Sequence, residues 1–95
     1  MHKLNDTEIE DIQNGKSILL DVRTIDEYSS GHAAYSVNIP LDEIEDIKID
    51  KDKKIFVYCR SGNRSQIAEM ALSQIGFDVT NVGGLYEVID AIGEA

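Results

Sequence analysis

Short apolar runs alternate along this chain with segments in which apolar residues recur at helical spacing. Ser17 to Val22, Val37 to Ile39, Ile55 to Tyr58 and Val79 to Val82 are brief runs rich in β-branched and aromatic residues, the signature of buried strands. Between them lie helical segments. Asp6, followed by Thr7-Glu8-Ile9, suggests a capped helix running to about Asn14 and stopped by Gly15. A second short helix is expected over Asp26 to Ser30, ended by Gly31, and Pro40 halts the strand before it. Leu41, Ile44 and Ile47 line one face of a third helical turn, and Asp50 to Lys54 is a charged turn. Ile67, Ala68, Ala71, Leu72 and Ile75 predict a longer helix laying that face on a core, with Gly76 as its cap. Gly83-Gly84 reads as a turn, and Leu85, Val88, Ile89 and Ile92 as the inner face of a last helix. Strands alternating with helices in this way predict an α/β fold, a central, mostly parallel sheet with helices on both faces. In such sheets ligands bind at the carboxyl ends of the strands.

Ninety-five residues suit one domain, residues 1–95, with room for one core and one site. Eighteen acidic against nine basic residues give a net charge of -9, which argues against nucleic acid or an anionic membrane as partner. No N-terminal apolar stretch resembles a signal peptide or a membrane span, and a single cysteine cannot form an internal disulfide. A reducing cytoplasm is therefore the expected location. No CxxC or His-x-x-x-His pattern occurs, and Gly83-Gly84 lacks the spacing of a dinucleotide loop, so neither metal nor cofactor is expected.

One segment departs from the acidic background. Tyr58-Cys59-Arg60-Ser61-Gly62-Asn63-Arg64-Ser65 places the only cysteine at the end of an apolar run and just ahead of a helix. A short polar loop there aims backbone N–H groups at one point, and the helix adds roughly half a positive charge at its N-terminus. Arg60 and Arg64 add two full charges, and Gly62 tolerates a positive φ. A free thiol has a pKa of about 8.5, and such surroundings lower it. Cys59 is thus a candidate nucleophile for a small anionic substrate. The alternative, a cysteine that merely packs, gives no reason for two arginines and a glycine within five positions.

Three ordered segments resemble the single-domain rhodanese family, and the likeness covers nearly the whole chain. They are Leu20-Asp21-Val22-Arg23 with Glu27-Tyr28 and Gly31-His32, the loop Tyr58 to Ser65, and Val82-Gly83-Gly84-Leu85. The resemblance implies a rhodanese-like fold and a sulfurtransferase. In that reading Cys59 takes a sulfur from thiosulfate or another sulfane-sulfur donor, becomes a persulfide, and passes the sulfur to cyanide, a thiol or a protein acceptor. Arg60, Ser61, Gly62, Asn63, Arg64 and Ser65 would bind the substrate and cradle the persulfide. Asp21, Arg23 and His32 would be structural residues near the site, with Glu27 pairing Arg23 at helical spacing. Two positions depart from the pattern. Ala33-Ala34-Tyr35-Ser36 stands where the family has a hydrophobic residue and Pro-Gly-Ala, and Val88 where it often has tryptophan.

Rival readings remain at this stage. Cysteine phosphatases and arsenate reductases use Cys-x5-Arg, whereas Cys59 to Arg64 is Cys-x4-Arg, a tighter cradle. A persulfide carrier in a protein relay, or an inactive regulatory module, would share the fold; donor, acceptor and oligomeric state are not set by the sequence.

Overall fold

The computed structural model describes residues 1–95. Helix α1 (Asp6–Gln13) is opened by Asn5, whose Oδ1 accepts the Glu8 N–H at 2.8 Å while the Glu8 carboxylate accepts the Asn5 N–H at 2.9 Å. The cap therefore lies one residue ahead of Asp6, because Glu8 must stand three positions beyond it to close the reciprocal pair. Strand β1 (Ser17–Asp21) leads to α2 (Ile25–Ser29), capped in the same way by Thr24 and Glu27. Then follow β2 (Ser36–Asn38), a 3-10 turn (Leu41–Asp46), β3 (Lys54–Cys59), α3 (Asn63–Gln74), β4 (Val79–Gly84) and α4 (Leu85–Ile92).

The four strands form one sheet in the order β2-β1-β3-β4, every pair parallel. Because side chains alternate across a strand, β1 and β3 feed two cores. Leu20, Val22, Ile55, Val57 and Cys59 face α3 and the 3-10 turn, where Ala68, Leu72 and Ile44 cover them. Leu19, Phe56, Tyr58 and Val82 face the other way, against Ile12 of α1 and Val88 of α4. Each buried aliphatic or aromatic side chain contributes about 1.5–3 kcal/mol. Val88, where the resemblance led one to expect tryptophan, is 2% exposed and lines a cavity of about 270 Å³ with Leu4 and Val82.

Two details differ from the sequence expectation. In α3 the inward positions are Ser65, Ala68 and Leu72, whereas Ile67 and Ile75 are 56% and 42% exposed. The helix is turned so that a serine takes a core position, which is tolerated because its hydroxyl finds partners there. Gly83-Gly84 is not a turn but the end of β4, with Gly84 paired to Cys59. The register of β3 and β4 shifts between Val57, opposite Asn81, and Tyr58, opposite Gly83. Val82 is the extra residue of this bulge, a device that re-aims side chains beside a site.

Candidate active site

Cys59 is the last residue of β3 and is 1% exposed. The chain must then reverse into α3, and Gly62 takes φ 106°, a left-handed conformation that suits glycine, to do so. The turn brings the Gly62 N–H to 3.0 Å from the Cys59 sulfur, onto which it donates. Gly62 has no side chain with which to cap α3, so the first-turn amides are left for another acceptor. The Cys59 sulfur, which takes the Gly62 N–H, stands at that end of the helix. Burial pushes the Cys59 thiol up, but hydrogen bonds from the Ser65 hydroxyl and the backbone N–H groups of Ser65, Gly62 and Ser61 outweigh it, and the net direction is down.

The loop is held from β4. Ser61 bridges Gly84, the Leu85 N–H donates to the Arg60 carbonyl at 3.3 Å, and that carbonyl lies 2.6 Å from where a Gly84 Cβ would be. Any side chain at Gly84 would force the Arg60 carbonyl, and with it the loop, to shift. Asn63 is exposed in the first turn of α3.

The two loop arginines are in different situations. Arg64 makes a bidentate pair with Glu27, Nη1 to Oε1 at 2.6 Å and Nη2 to Oε2 at 3.0 Å, which spends most of its charge on anchoring α3 to α2. Glu27 therefore pairs Arg64 rather than Arg23, and the Arg64 guanidinium holds its carboxyl down at about 2. Sequence spacing had no means of showing a contact 37 residues away. Arg60 is exposed and has no carboxylate partner. It stands on the wall of an open cleft of about 380 Å³ shared with Arg23, Glu27, Gly31, Leu85, Tyr86 and Glu94.

At the end of β1, Asp21 is 0% and Arg23 4% exposed. The Arg23 Nε and Nη2 donate to the Asp21 carboxylate at 2.9 and 2.7 Å, the Arg23 N–H adds a bond of 2.8 Å, and Nη2 also reaches the Gly31 carbonyl at 2.8 Å. His32 stacks on Tyr28, ring centroids 3.7 Å apart, and its Nδ1 donates to the Tyr28 carbonyl at 2.8 Å. Sequence reasoning missed Asn81, buried beneath the loop; its only signal was a polar residue inside an apolar strand.

The comparisons converge on one family. The family description "Rhodanese-like domain" matches residues 5–91. This chain belongs to the rhodanese-like domain family. It is 35% identical over 74 residues to the thiosulfate sulfurtransferase PspE of Escherichia coli, covering 73% of this chain and 71% of that protein. It is 40% identical over 72 residues to the "Adenylyltransferase and sulfurtransferase uba4" of Ogataea parapolymorpha, covering 70% of this chain. The match spans only 18% of that longer relative. Among solved structures, a rhodanese-related protein from Thermoplasma volcanium superposes with a TM-score of 0.75 at 34% identity, covering 96% of this chain and 93% of that one. In the turn after His32, where the rhodanese pattern has glycine, Tyr35 takes a left-handed φ of 66°. Its ring points to solvent, 60% exposed, where no neighbour opposes that backbone.

Proposed function

We propose that this domain is a sulfurtransferase working through a persulfide on Cys59. The Cys59 thiolate attacks the outer sulfur of thiosulfate or another sulfane-sulfur donor. A bond forms between the two sulfurs while the donor's own S–S bond breaks, and the leaving group, sulfite in the case of thiosulfate, departs with the electron pair. An acceptor nucleophile, cyanide or a thiolate, then attacks the terminal sulfur, and Cys59 leaves as the thiolate it was. No general base is needed once the thiol is ionised, so no histidine has to face the sulfur.

The observation that carries this reading is the Gly62 N–H donating to the sulfur at 3.0 Å at the mouth of an uncapped helix. Amides so placed replace the hydration that an anionic persulfide loses on burial. Arg60, free on the cleft wall, is the cation for the donor's anionic end, while Arg64 works through Glu27 to hold the loop. Ser61, Gly62, Asn63 and Ser65 shape the cradle. The similarity to PspE supports thiosulfate as a donor. A persulfide carrier in a protein relay is the second reading; with Cys59 the sole cysteine, the sulfur leaves to an external acceptor in both. No helix is long and apolar enough to cross a membrane, and a reducing cytoplasm would keep the lone thiol ready.

Intact mass after thiosulfate treatment, and again after cyanide, tests the proposal. A gain of one sulfur that cyanide removes, absent in Cys59→Ser, is expected. No adduct from thiosulfate, with loading by a protein persulfide donor instead, would shift the function to the carrier; no adduct from either would overturn both.

A further inference from the structure

Beneath the loop, β4 contributes a buried amide for which sulfur transfer as described has no role. Asn81 is 8% exposed and sits on the bulge, opposite Val57. Its orientation is settled from two sides: Oδ1 accepts the Gly83 N–H at 3.0 Å, and Nδ2 donates to the Gly62 carbonyl at 3.2 Å. Its own N–H donates to Glu69 Oε2 at 2.7 Å. Oδ1 accepts a second hydrogen bond, from the Ser65 hydroxyl, at 2.8 Å.

Ser65 is fully buried, and its oxygen also lies 3.0 Å from the Gly62 carbonyl and 3.4 Å from the Cys59 sulfur. A serine hydroxyl has one proton to donate, and three acceptors surround it. While Cys59 is a thiol, its S–H can donate to the Ser65 oxygen, which leaves the Ser65 proton to the shortest of the three contacts, Asn81 Oδ1. A thiolate has no proton and only accepts, so the same hydroxyl must turn towards sulfur.

We propose that Asn81 is a positioning residue for Cys59: its Oδ1 holds the Ser65 hydroxyl proton while Cys59 is a thiol and yields it to the sulfur when Cys59 becomes a thiolate. The proton that Cys59 loses goes to solvent, and Asn81 stays a neutral amide throughout. Asn81 thereby does two opposed things. It fixes the Gly62 carbonyl and the Ser65 rotamer, and it competes with the sulfur for the one mobile donor. The charged groups around this network are Arg64 with Glu27, Asp21 with Arg23, Arg60 in the loop and Glu69 behind the Asn81 backbone. The inference rests on Cys59 ionising during turnover, as proposed above, but its readout is thiol ionisation alone and does not depend on which donor is used.

The test is the titration of the single thiol in the full chain, followed by the ultraviolet absorbance of the thiolate, in Asn81→Leu and Asn81→Asp. Losing the competing acceptor in Asn81→Leu is expected to raise the thiolate-to-thiol ratio at fixed pH about threefold to tenfold, the worth of one neutral hydrogen bond. Asn81→Asp, a stronger acceptor carrying charge, is expected to lower it more than tenfold. In a Ser65→Ala background the Leu effect is expected to vanish. If Asn81 only braces the loop, both substitutions loosen the cradle and move the midpoint the same way, upward; that result, or an unchanged midpoint in Asn81→Leu, would overturn the proposal. Should the leucine variant fail to fold, Asn81→Ala removes the same acceptor with less bulk and is read by the same criteria.

Discussion

The carboxyl ends of β1 and β3 lie side by side, both buried and both polar, yet they are opposite kinds of place. At the end of β1, Asp21 and Arg23 pair charge with charge: the carboxylate takes three Arg23 donors, and Nη2 also reaches the Gly31 carbonyl. At the end of β3, donors converge on one sulfur without a counter-charge in contact with it. In the first arrangement the charges cancel, and only the Nη1 end of the guanidinium, on the cleft side, is left without a protein partner. The second is open at the atom that matters, because amides in excess of acceptors are a standing demand for negative charge. What separates a scaffold from a site, with similar burial, is whether the donors and acceptors cancel.

The largest effect should come from breaking the closed end. Asp21→Ala leaves the Arg23 guanidinium buried and unpaired, and is expected to cost about 3–5 kcal/mol, read as a lowered urea midpoint. A loss under about 1 kcal/mol would mean that the pair is not the scaffold it looks to be. Arg60→Ala, at the open end, should do the reverse. Stability is expected to stay within about 0.5 kcal/mol of the parent, while the KM for an anionic donor rises about tenfold at low salt, the difference shrinking as salt is added. Equal KM values for the two proteins would move donor binding elsewhere.

The smallest effect concerns the ion pair that joins the two ends. Glu27 is depressed to about 2, first by its hydrogen bonds to Arg64, so its folded value lies below the unfolded one. Its contribution is therefore fully present above the unfolded carboxylate range and is lost as pH falls from about 4.5 towards 2. Both side chains are about a third exposed, so solvent screening limits this to about 1 kcal/mol or less. Comparing acid unfolding of the parent with Glu27→Gln, the extra acid loss should appear only in the parent; parallel curves would show that the pair stabilises nothing.

Much of this was legible in the linear pattern. Four short apolar runs became four strands, the helical spacings fell on helices, and the parallel α/β arrangement followed, because burial on both faces of a sheet leaves its mark locally in each strand. The loop from Cys59 to Ser65 also stood out, since its chemistry is packed into contiguous residues. Where the pattern misled, the cause was distant. Ile67 and Ile75 look like core residues in isolation, but α3 turns Ser65 inward, where its shortest hydrogen bond reaches Asn81 on β4. Gly83-Gly84 looks like a turn, but Gly84 pairs with Cys59 in the sheet, and the Arg60 carbonyl stands where a Cβ would be.

The sequence by itself therefore determined the fold class and the family, and singled out Cys59 as the candidate nucleophile, all of which depend on periodicity and on neighbours along the chain. Only the tertiary structure decided which arginine is free, that Glu27 serves Arg64, and that Asn81 stands behind Ser65 and Cys59. Each of those is a pairing between segments 16 to 37 residues apart. A charge or a hydroxyl carries no local signal of its partner, because hydrogen bonds are satisfied by proximity in space, and that proximity is created by the packing of the whole sheet.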